Sequence, residues 1–247
     1  LKHNSPSYVL LLNEVMKYAY ADRSQYLGDP DYVDVPVNKL ISKDYAENIS
    51  KKITIDSVTK SDDIKAGMYI DLESDETTHF SIADKFGNLV STTYTLNSSF
   101  GSIVVIAKTG ILMNNEMDDF VSAPGVPNQF GLLGGEANKI EPFKRPLSSM
   151  TPTLVFKDSN PIIATGSPGG SVIITAVLQF LLNMLVFDME ISDATVVPRI
   201  HHQWVPDILF LEKGFDINHA KKIVITDLKK NAESKLPNFS MIPSDRR

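Results

Sequence analysis

Thr77 stands where a charged segment without a clear period, residues 60–76, gives way to a stretch in which apolar and polar residues roughly alternate. A cut between Glu76 and Thr77 would leave a free α-amine beside the threonine hydroxyl. Such an amine titrates near neutrality, so it can accept the hydroxyl proton without a neighbouring histidine. The junction therefore suggests an N-terminal nucleophile, although threonine also favours strand starts for purely conformational reasons.

The residues after this junction predict a β-hairpin. Residues 77–84 and 89–95 form its two arms, and the tight-turn signal Phe86-Gly87-Asn88 separates them. The segment before the junction predicts helices instead. Apolar residues recur at helical spacing from Pro6 to about Arg23, and a shorter helix is predicted after Ser42.

A second hairpin is predicted in the C-terminal half, followed by a strand–glycine–helix junction. Residues 153–157 and 161–165 flank the turn Asp158-Ser159-Asn160. The segment Gly166 to Ser171 then leads into an apolar helix that starts at Val172. Glycines allow close backbone approach, and the amides at a helix start attract negative charge. A tight turn that simply feeds a core helix is the alternative.

Several polar features have both a structural and a functional interpretation. Two asparagines and three acids cluster in residues 114–119, behind the predicted strand 103–107, as in a surface turn or in a pocket for an ammonium group. The Pro/Gly-rich loop 122–138 is long enough for a lid. His201 and His202 lack a ligand partner at helical spacing, so structural or site-rim roles are favoured over metal binding.

The composition is that of an ordinary globular protein, with 247 residues, of which 43% are hydrophobic and 22% charged. A net charge of −6 without a basic stripe argues against nucleic acid as a partner. The chain has no cysteine, which excludes disulfides and thiolate metal sites. The longest apolar run, residues 172–187, is shorter than a bilayer span. The chain starts without Met, and we expect it to be part of a longer product.

Several stretches together resemble one family. In chain order they are TTHFSIADKFGNLVSTTYTLNSSFG, GILMNNEMDDF, PGVPNQFGLLGGEAN, KRPLSSMTPT, GSPGGS and PRIHHQW. This combination closely resembles the γ-glutamyltranspeptidases, which are N-terminal-nucleophile hydrolases. The resemblance implies an α+β fold, a four-layer αββα sandwich that this chain alone does not complete. It also implies that residues 1–76 end the large subunit and that residues 77–247 form the small catalytic subunit.

The resemblance further implies a role for each residue of the site. Thr77 resembles the threonine that cuts the precursor and later attacks the substrate, with its own α-amine as base. Thr95 is similar to the threonine that hydrogen-bonds this nucleophile. The residues implied to hold the charged end of the γ-glutamyl group are Asn97, Glu116, Asp119, Ser148 and Ser149. Those whose amides are implied to form the oxyanion hole are Gly169 and Gly170.

The implied activity is cleavage of γ-glutamyl amides such as glutathione through a γ-glutamyl ester of Thr77. The acyl group would pass to water or to an amino acid or dipeptide acceptor. No cofactor and no metal is implied. The implied partner is the rest of the precursor, which forms a heterodimer with the small subunit after self-cleavage. A periplasmic, secreted or outward-facing location follows from the resemblance alone.

This sequence departs from the family in two respects. Phe130 stands where bacterial members often have tyrosine, so a hydroxyl that could cover the site is absent. The arginine that binds the substrate carboxylate in the family lies outside this chain, as do several core strands. Glu116 is a mild difference, because the family uses either glutamine or glutamate there.

Two alternatives stay open at this point. One is an acylase or a poly-γ-glutamate-processing relative of the same fold. Asp119 and the Ser148-Ser149 pair argue against acylases that lack an amino-acid substrate. The other is an inactive partial module with a binding role.

Replacing Thr77 with alanine removes the proposed nucleophile, so we expect the Thr77→Ala chain to stay uncut. The parent protein should yield two fragments that meet at Glu76 and Thr77. Intact-mass measurement of the purified native protein and of the variant tests both expectations. Normal cutting of the variant would refute the assignment.

Overall fold

The structure, a computed structural model, describes residues 1–55, 57–64, 77–123 and 125–216, and the backbone alone of residues 238–241. The helices are α1 (Pro6–Tyr26), α2 (Val37–Leu40), α3 (Lys43–Ser50), α4 (Val172–Leu185) and α5 (Ile191–Val196). The strands are β1 (Thr78–Ala83), β2 (Leu89–Tyr94), β3 (Thr153–Lys157), β4 (Asn160–Thr165), β5 (Ile200–His201), β6 (Ile208–Leu211) and β7 (Asn238–Met241). Residues 65–76 of the charged segment before Thr77 lie outside the described residues, as do the residues from Ile217 onward apart from β7; the sequence predicts a mixture of helix and strand for that last region.

Helix α1 begins where the sequence predicts and packs against residues from much of the described chain. Its Ser5 cap accepts a hydrogen bond from the Tyr8 amide at 3.4 Å, and Pro6 occupies the first turn. The N-terminal half of the helix packs on β5 and β6 through a cluster of Tyr8, Val9, Leu10, Leu12, Met16, Ile200, Leu209, Leu211 and Phe215. The C-terminal half packs in a second cluster of Tyr20, Ala21, Ile64, Phe130, Leu132, Leu133 and Trp204. Residues that precede Thr77 in the sequence and residues that follow it therefore belong to the same two hydrophobic clusters.

Both predicted hairpins are confirmed, and side chains tie them to each other. β1 pairs with β2, and β3 pairs with β4, in each case antiparallel. The Ser81 hydroxyl donates to the Ala164 carbonyl at 3.1 Å. The Ser91 hydroxyl donates to the Thr165 carbonyl at 2.8 Å. These bonds hold the first hairpin against the end of β4, next to the glycine-rich segment.

The predicted strand 103–107 is wrong. The segment forms turns, with a single bridge between Val105 and Leu112, and Ile103 is 81% exposed. Apolar, β-branched residues favour a strand only where a neighbouring strand can pair with them. Around that bridge, the Met113 amide donates to the Val104 carbonyl and the Ile106 amide donates to the Ile111 carbonyl, each at 2.9 Å, but this pairing does not extend into a regular strand.

The second half of the loop 122–138 packs against α1, and the interpretation of this loop as a lid stays a prediction. Phe130, Leu132 and Leu133 are each at most 7% exposed and pack against α1. The Gln203 side chain also donates to the Phe130 carbonyl at 3.1 Å. Three apolar side chains in a row make this part of the loop more stable when it is buried than when it is open.

Helix α4 starts at the predicted residue, but its most buried face includes a polar stripe. Thr175, Gln179 and Asn183 recur every four residues, and each is at most 3% exposed. Gln179 donates to the Ile200 carbonyl at 2.7 Å and accepts from the Ile200 amide at 2.9 Å. Thr175 bonds to His201 at 2.8 Å. The stripe can be buried because it satisfies the backbone of β5. Neither α4 nor any other described helix is long and apolar enough to cross a membrane.

A buried ion pair anchors the segment that leads toward Thr77. The Glu14 carboxylate lies 2.5 Å from the Lys17 ammonium, and both side chains are fully buried. Lys17 also donates to the Thr59 carbonyl, and the Thr59 amide donates to Glu14 at 3.3 Å. The Trp204 indole donates to the carbonyls of Ser61 and Ile64. Helix α1 and Trp204 thus hold residues 59–64 in place.

Removing one member of this ion pair should destabilise the protein strongly. Lys17→Met leaves a buried carboxylate without its partner, so the free energy of unfolding should fall by about 3–5 kcal/mol in urea denaturation. The double variant Glu14→Leu/Lys17→Met should recover most of that loss. As a control, Lys139→Met breaks an exposed pair with Glu136 and should cost under about 1 kcal/mol. Equal losses in the single and double variants would contradict this account.

Candidate active site

Two predicted head-group residues come together on one short turn. Glu116 and Asp119 lie at the two ends of a 3₁₀ turn, and their carboxyl groups share a hydrogen bond. Burial, the neighbouring Glu116 charge and this hydrogen bond raise the pKa of Asp119 to about 8. Burial also raises the pKa of Glu116. The pair therefore holds one shared proton near neutrality, as two close carboxyls must when they are partly buried.

Arg23, near the C-terminal end of α1, connects this turn with the predicted serines. Its guanidinium donates to the Ser149 hydroxyl at 3.0 Å. Against the larger effect of burial, its charge lowers the pKa of Asp119. The neighbouring Ser148 hydroxyl accepts the Met150 amide at 3.1 Å. One arginine thus faces both the acidic and the hydroxyl side of the candidate pocket.

Asn138 connects the acid turn of Glu116 and Asp119 with the segment that carries the serine pair. Its side chain donates to the Asp119 carbonyl at 2.7 Å and accepts from the Leu147 amide at 3.0 Å. It is 4% exposed, so both bonds are shielded from water. Leu147 directly precedes the serine pair, and the position of the acid turn relative to the serines is therefore fixed by backbone contacts.

The segment before the serines is also fixed by the loop that follows α1. The Asp29 carboxylate accepts the backbone amide of Arg145 at 2.8 Å and a guanidinium N–H of the same residue at 3.0 Å. Asp31 pairs with the same guanidinium. The GDPD sequence, residues 28–31, thus binds the start of the KRPLSSM segment across the predicted cut.

Thr95 and Asn97 connect the first hairpin with the acid turn. Asn97 has a φ of 76° and is 3% exposed. Asparagine tolerates this left-handed conformation better than most residues. Here its amide donates to the Thr95 hydroxyl at 2.9 Å, and its side chain donates to the Asn115 carbonyl at 3.2 Å. Asn97 is therefore held directly beside the residue that precedes Glu116.

Gly169 and Gly170 form the turn before α4. Their φ angles of 123° and 52° lie in the region that side chains other than glycine's rarely adopt. The Tyr20 hydroxyl of α1 donates to the carbonyl of the next residue, Ser171, at 2.5 Å. This hydrogen bond attaches the turn to α1 immediately after the two glycines.

Thr77 directly precedes β1. Continued by one residue, the register of β1 and β2 would set Thr77 opposite Thr95. Two residues later, His79 packs so closely on Gly166 that a Cβ there would overlap the ring. The start of β1 thus runs beside the strand that leads to the glycine turn. Glu76, on the other side of the predicted cut, lies outside the described residues.

A cleft beside the acid turn gathers only part of the predicted site. Its lining includes Arg23 and Asp119. Of the predicted site residues that the structure describes, Asp119 alone lines this cleft, and the serine pair, Glu116, Asn97, the threonines and the two glycines lie outside its lining. Arg23 connects Asp119 with Ser149, while Thr77 lies at the start of the first hairpin.

His201 and His202 occupy structural positions. Both are at most 1% exposed. His201 bonds to Gln203 at 3.0 Å and packs edge-on against the ring of Tyr20. His202 bonds to Asp207 at 3.2 Å. The ring nitrogens of both histidines therefore make hydrogen bonds within the protein, to Gln203 and to Asp207.

The family of this chain is shown by its similarity to known proteins and solved structures. The family model for gamma-glutamyltranspeptidase matches residues 1–242. The glutathione hydrolase proenzyme of Escherichia coli K12 is 53% identical over 211 residues, which cover 85% of this chain and 36% of that protein. The T380A mutant of Helicobacter pylori γ-glutamyltranspeptidase matches with a TM-score of 0.60 at 47% identity, over 67% of this chain and 85% of that one. A cephalosporin acylase from Bacillus halodurans matches with a TM-score of 0.70 at 24% identity, over 94% of this chain and 38% of that one.

The fold is therefore one that γ-glutamyltranspeptidases share with an acylase. Within that class, the sequence matches are specific, and the chain belongs to the γ-glutamyltranspeptidase family, as its motifs predicted. The chain spans 34–36% of the length of the curated relatives that it matches most strongly.

Three residues that organise the site, Tyr20, Arg23 and Asn138, were not predicted from the sequence. A signal existed for the first two. They lie three residues apart, so they share one face of the predicted helix, and the phenol hydroxyl and the guanidinium both need hydrogen-bond partners there. No comparable signal marks Asn138, because it lies in an irregular loop.

The acid pair should make stability depend on pH. Because the pKa of Asp119 is raised from 3.8 to about 8, the folded protein binds more protons than the unfolded chain between these values. Stability should therefore fall as pH rises through this window, by at most about 1.4 kcal/mol per pH unit for one proton. Urea unfolding of Asp119→Asn should show a flatter dependence. The exposed-acid control Asp193→Asn should keep the parental slope, and a parental slope in Asp119→Asn would contradict the assignment.

Proposed function

We propose that this chain is the catalytic part of a self-processing γ-glutamyl transferase/hydrolase that acts on amides such as glutathione. One observation carries the proposal: the acid pair of Glu116 and Asp119 faces the Arg23–Ser149 pair. An α-amino acid head group carries an ammonium and a carboxylate, so its pocket needs an acid on one side and donors on the other. The name of the E. coli relative, a glutathione hydrolase proenzyme, supports the same substrate class and a processed precursor.

The proposed chemistry uses a threonine ester. After the cut before Thr77, its α-amine accepts the proton of its own hydroxyl as the oxygen attacks the γ-carbonyl carbon. The amides of Gly169 and Gly170 stabilise the negative oxygen of the tetrahedral intermediate. The ammonium returns the proton to the leaving amine as the C–N bond breaks. Water or the amine of an acceptor then attacks the ester, with the same α-amine as base, and releases the Thr77 hydroxyl.

The other residues of the proposal support these two steps. Thr95 hydrogen-bonds the nucleophile, while Asn97 and Glu116 assist Asp119 in binding the ammonium. Ser148 and Ser149 bind the substrate carboxylate. The contacts of Asn97 with Thr95 and with the residue before Glu116 support this assignment, because they tie the nucleophile's hairpin to the head-group pocket.

The proposed fold is the complete four-layer αββα sandwich, with residues 1–76 from the large subunit and 77–247 as the small one. Apolar side chains on the two hairpins support a further covering layer. Phe80, Ile82 and Phe156 are 46%, 53% and 57% exposed. The rest of the precursor would cover these faces and supply a further donor for the substrate carboxylate. Location outside the cytoplasm stays a prediction.

Activity on a neutral acyl group, as in an acylase of the same fold, is the weaker alternative. Such a group offers no charge to Asp119 or to Arg23, and burying these charges unpaired would weaken binding. An inactive binding module is the remaining alternative, and it would show neither cutting nor covalent labelling.

Covalent trapping tests the proposed function. The natural gene product is mixed with a γ-glutamyl anilide, quenched rapidly and analysed by intact mass. We expect the fragment that begins at Thr77 to gain one γ-glutamyl group. Thr78→Ala should be labelled normally, since Thr78 is exposed on β1. Asp119→Asn should raise the KM by roughly 10- to 100-fold, because it loses a charged hydrogen-bond partner. Turnover without any label on that fragment would contradict the mechanism.

A further inference from the structure

We propose that Arg23 is a positioning residue for the γ-glutamyl group, although it lies before the predicted cut, in the segment to which no site residue was assigned. It fixes the Ser149 hydroxyl and supplies a positive charge that favours the ionised form of Asp119, which is the form that attracts the substrate ammonium. This inference rests on the proposed function and adds to it a residue from the other side of Thr77.

The first support is the geometry of the guanidinium. Arg23 donates to the Ser149 hydroxyl at 3.0 Å across 126 positions of sequence, and it lines the same cleft as Asp119. A hydroxyl that accepts from arginine has its own proton directed elsewhere, so it is free to donate to a carboxylate. Arg23 therefore orients Ser149 as a donor.

The second support is the set of charges around Asp119. Glu116 and Asp118 from its own turn add negative charge, and Arg23 from α1 is the positive group that faces it in the described chain. Burial and Glu116 raise the pKa of Asp119, while Arg23 lowers it. Without Arg23 the carboxyl would hold its proton more tightly. A protonated carboxyl attracts an ammonium group far less than a carboxylate does.

The third support is that Arg23 is held rigidly. It follows Tyr20 by one helical turn, and the Tyr20 hydroxyl is bonded to the Ser171 carbonyl beside the glycine turn. The same helix is anchored by the buried pair of Glu14 and Lys17. Arg23 thus keeps its position relative to the glycine turn and the serines when the chain is cut downstream.

Kinetics with a γ-glutamyl anilide separate this role from a general structural one. The variants are Arg23→Met and Arg23→Lys in the natural gene product, with Arg199→Met as matched control. Arg199 pairs with Glu212 at the β5–β6 edge, away from the candidate pocket. Arg23→Met should raise the KM by roughly 10- to 100-fold. Its kcat should stay within a few-fold of the parent, because Thr77 and the glycines are untouched.

Arg23→Lys keeps the charge but loses the planar donor pair, so it should recover part of the KM increase. Arg199→Met should keep the parental KM. A parental KM in Arg23→Met would overturn the inference, and so would equal losses of kcat in Arg23→Met and Arg199→Met. No turnover by the parent protein would instead reject the proposed function.

A second measurement does not need turnover. The side-chain carboxyl carbon of Asp119 can be titrated by NMR in the parent and in the variants. The Asp119 midpoint should move up by roughly one pH unit or more in Arg23→Met and should stay near the parental value in Arg23→Lys. An unmoved midpoint in Arg23→Met would overturn the inference, whatever the kinetics show. If Arg23→Met does not fold, the Arg23→Lys titration decides alone, and a midpoint shifted as far as one unit would overturn it.

Discussion

The candidate site depends on helix α1, which contacts it at two points one helical turn apart. Tyr20 bonds to the carbonyl that follows the glycine turn, and Arg23 bonds to the second serine. Because a helical turn has a fixed rise, these two bonds set the spacing between parts of the site that are distant in sequence. The helix itself is held by two apolar clusters and by a buried ion pair. A cut at the predicted junction would leave this arrangement connected by non-covalent contacts alone, namely apolar packing, hydrogen bonds and ion pairs.

The acid turn shows how a partly buried pocket can await a charged ligand. Two carboxylates at hydrogen-bond distance repel each other, and burial removes the water that would screen them. Sharing one proton relieves this repulsion in the empty site. Under the proposed function, the ammonium group of the substrate would take over that role and let the proton leave. Asn138 and Asn97 keep the turn in place through its backbone, so the side chains of the acids remain available.

The sequence predicted those elements whose formation depends on residues close together in the chain. The two hairpins follow from alternation and turn residues, and α1 follows from its period and its cap. Residues 103–107 do not form the predicted strand because their pairing with residues 111–113 is limited to a single bridge and a few backbone hydrogen bonds. The burial of the loop containing Phe130 could not be predicted from local sequence, because it depends on α1, more than a hundred residues earlier. The polar members of α4 looked like interruptions of an apolar helix, whereas they are among its most buried residues.

The candidate site was predicted by resemblance and not by spacing. Nothing local distinguishes Asp119 from an acid in a surface turn, or Gly169 from a glycine in any tight turn. The family motifs supplied those residues, and the three-dimensional contacts added Tyr20, Arg23 and Asn138. These three act between distant segments, with Arg23 and Ser149 separated by 126 positions. Pairings of that kind have no periodicity to detect.

The polar stripe of α4 restricts how this protein can change length during evolution. Inserting or deleting one residue between Thr175 and Gln179 would rotate the following turns by about 100°. Gln179 would then leave the Ile200 backbone, whose buried amide and carbonyl would lose both partners. Length variation among homologues should therefore be absent from this part of α4.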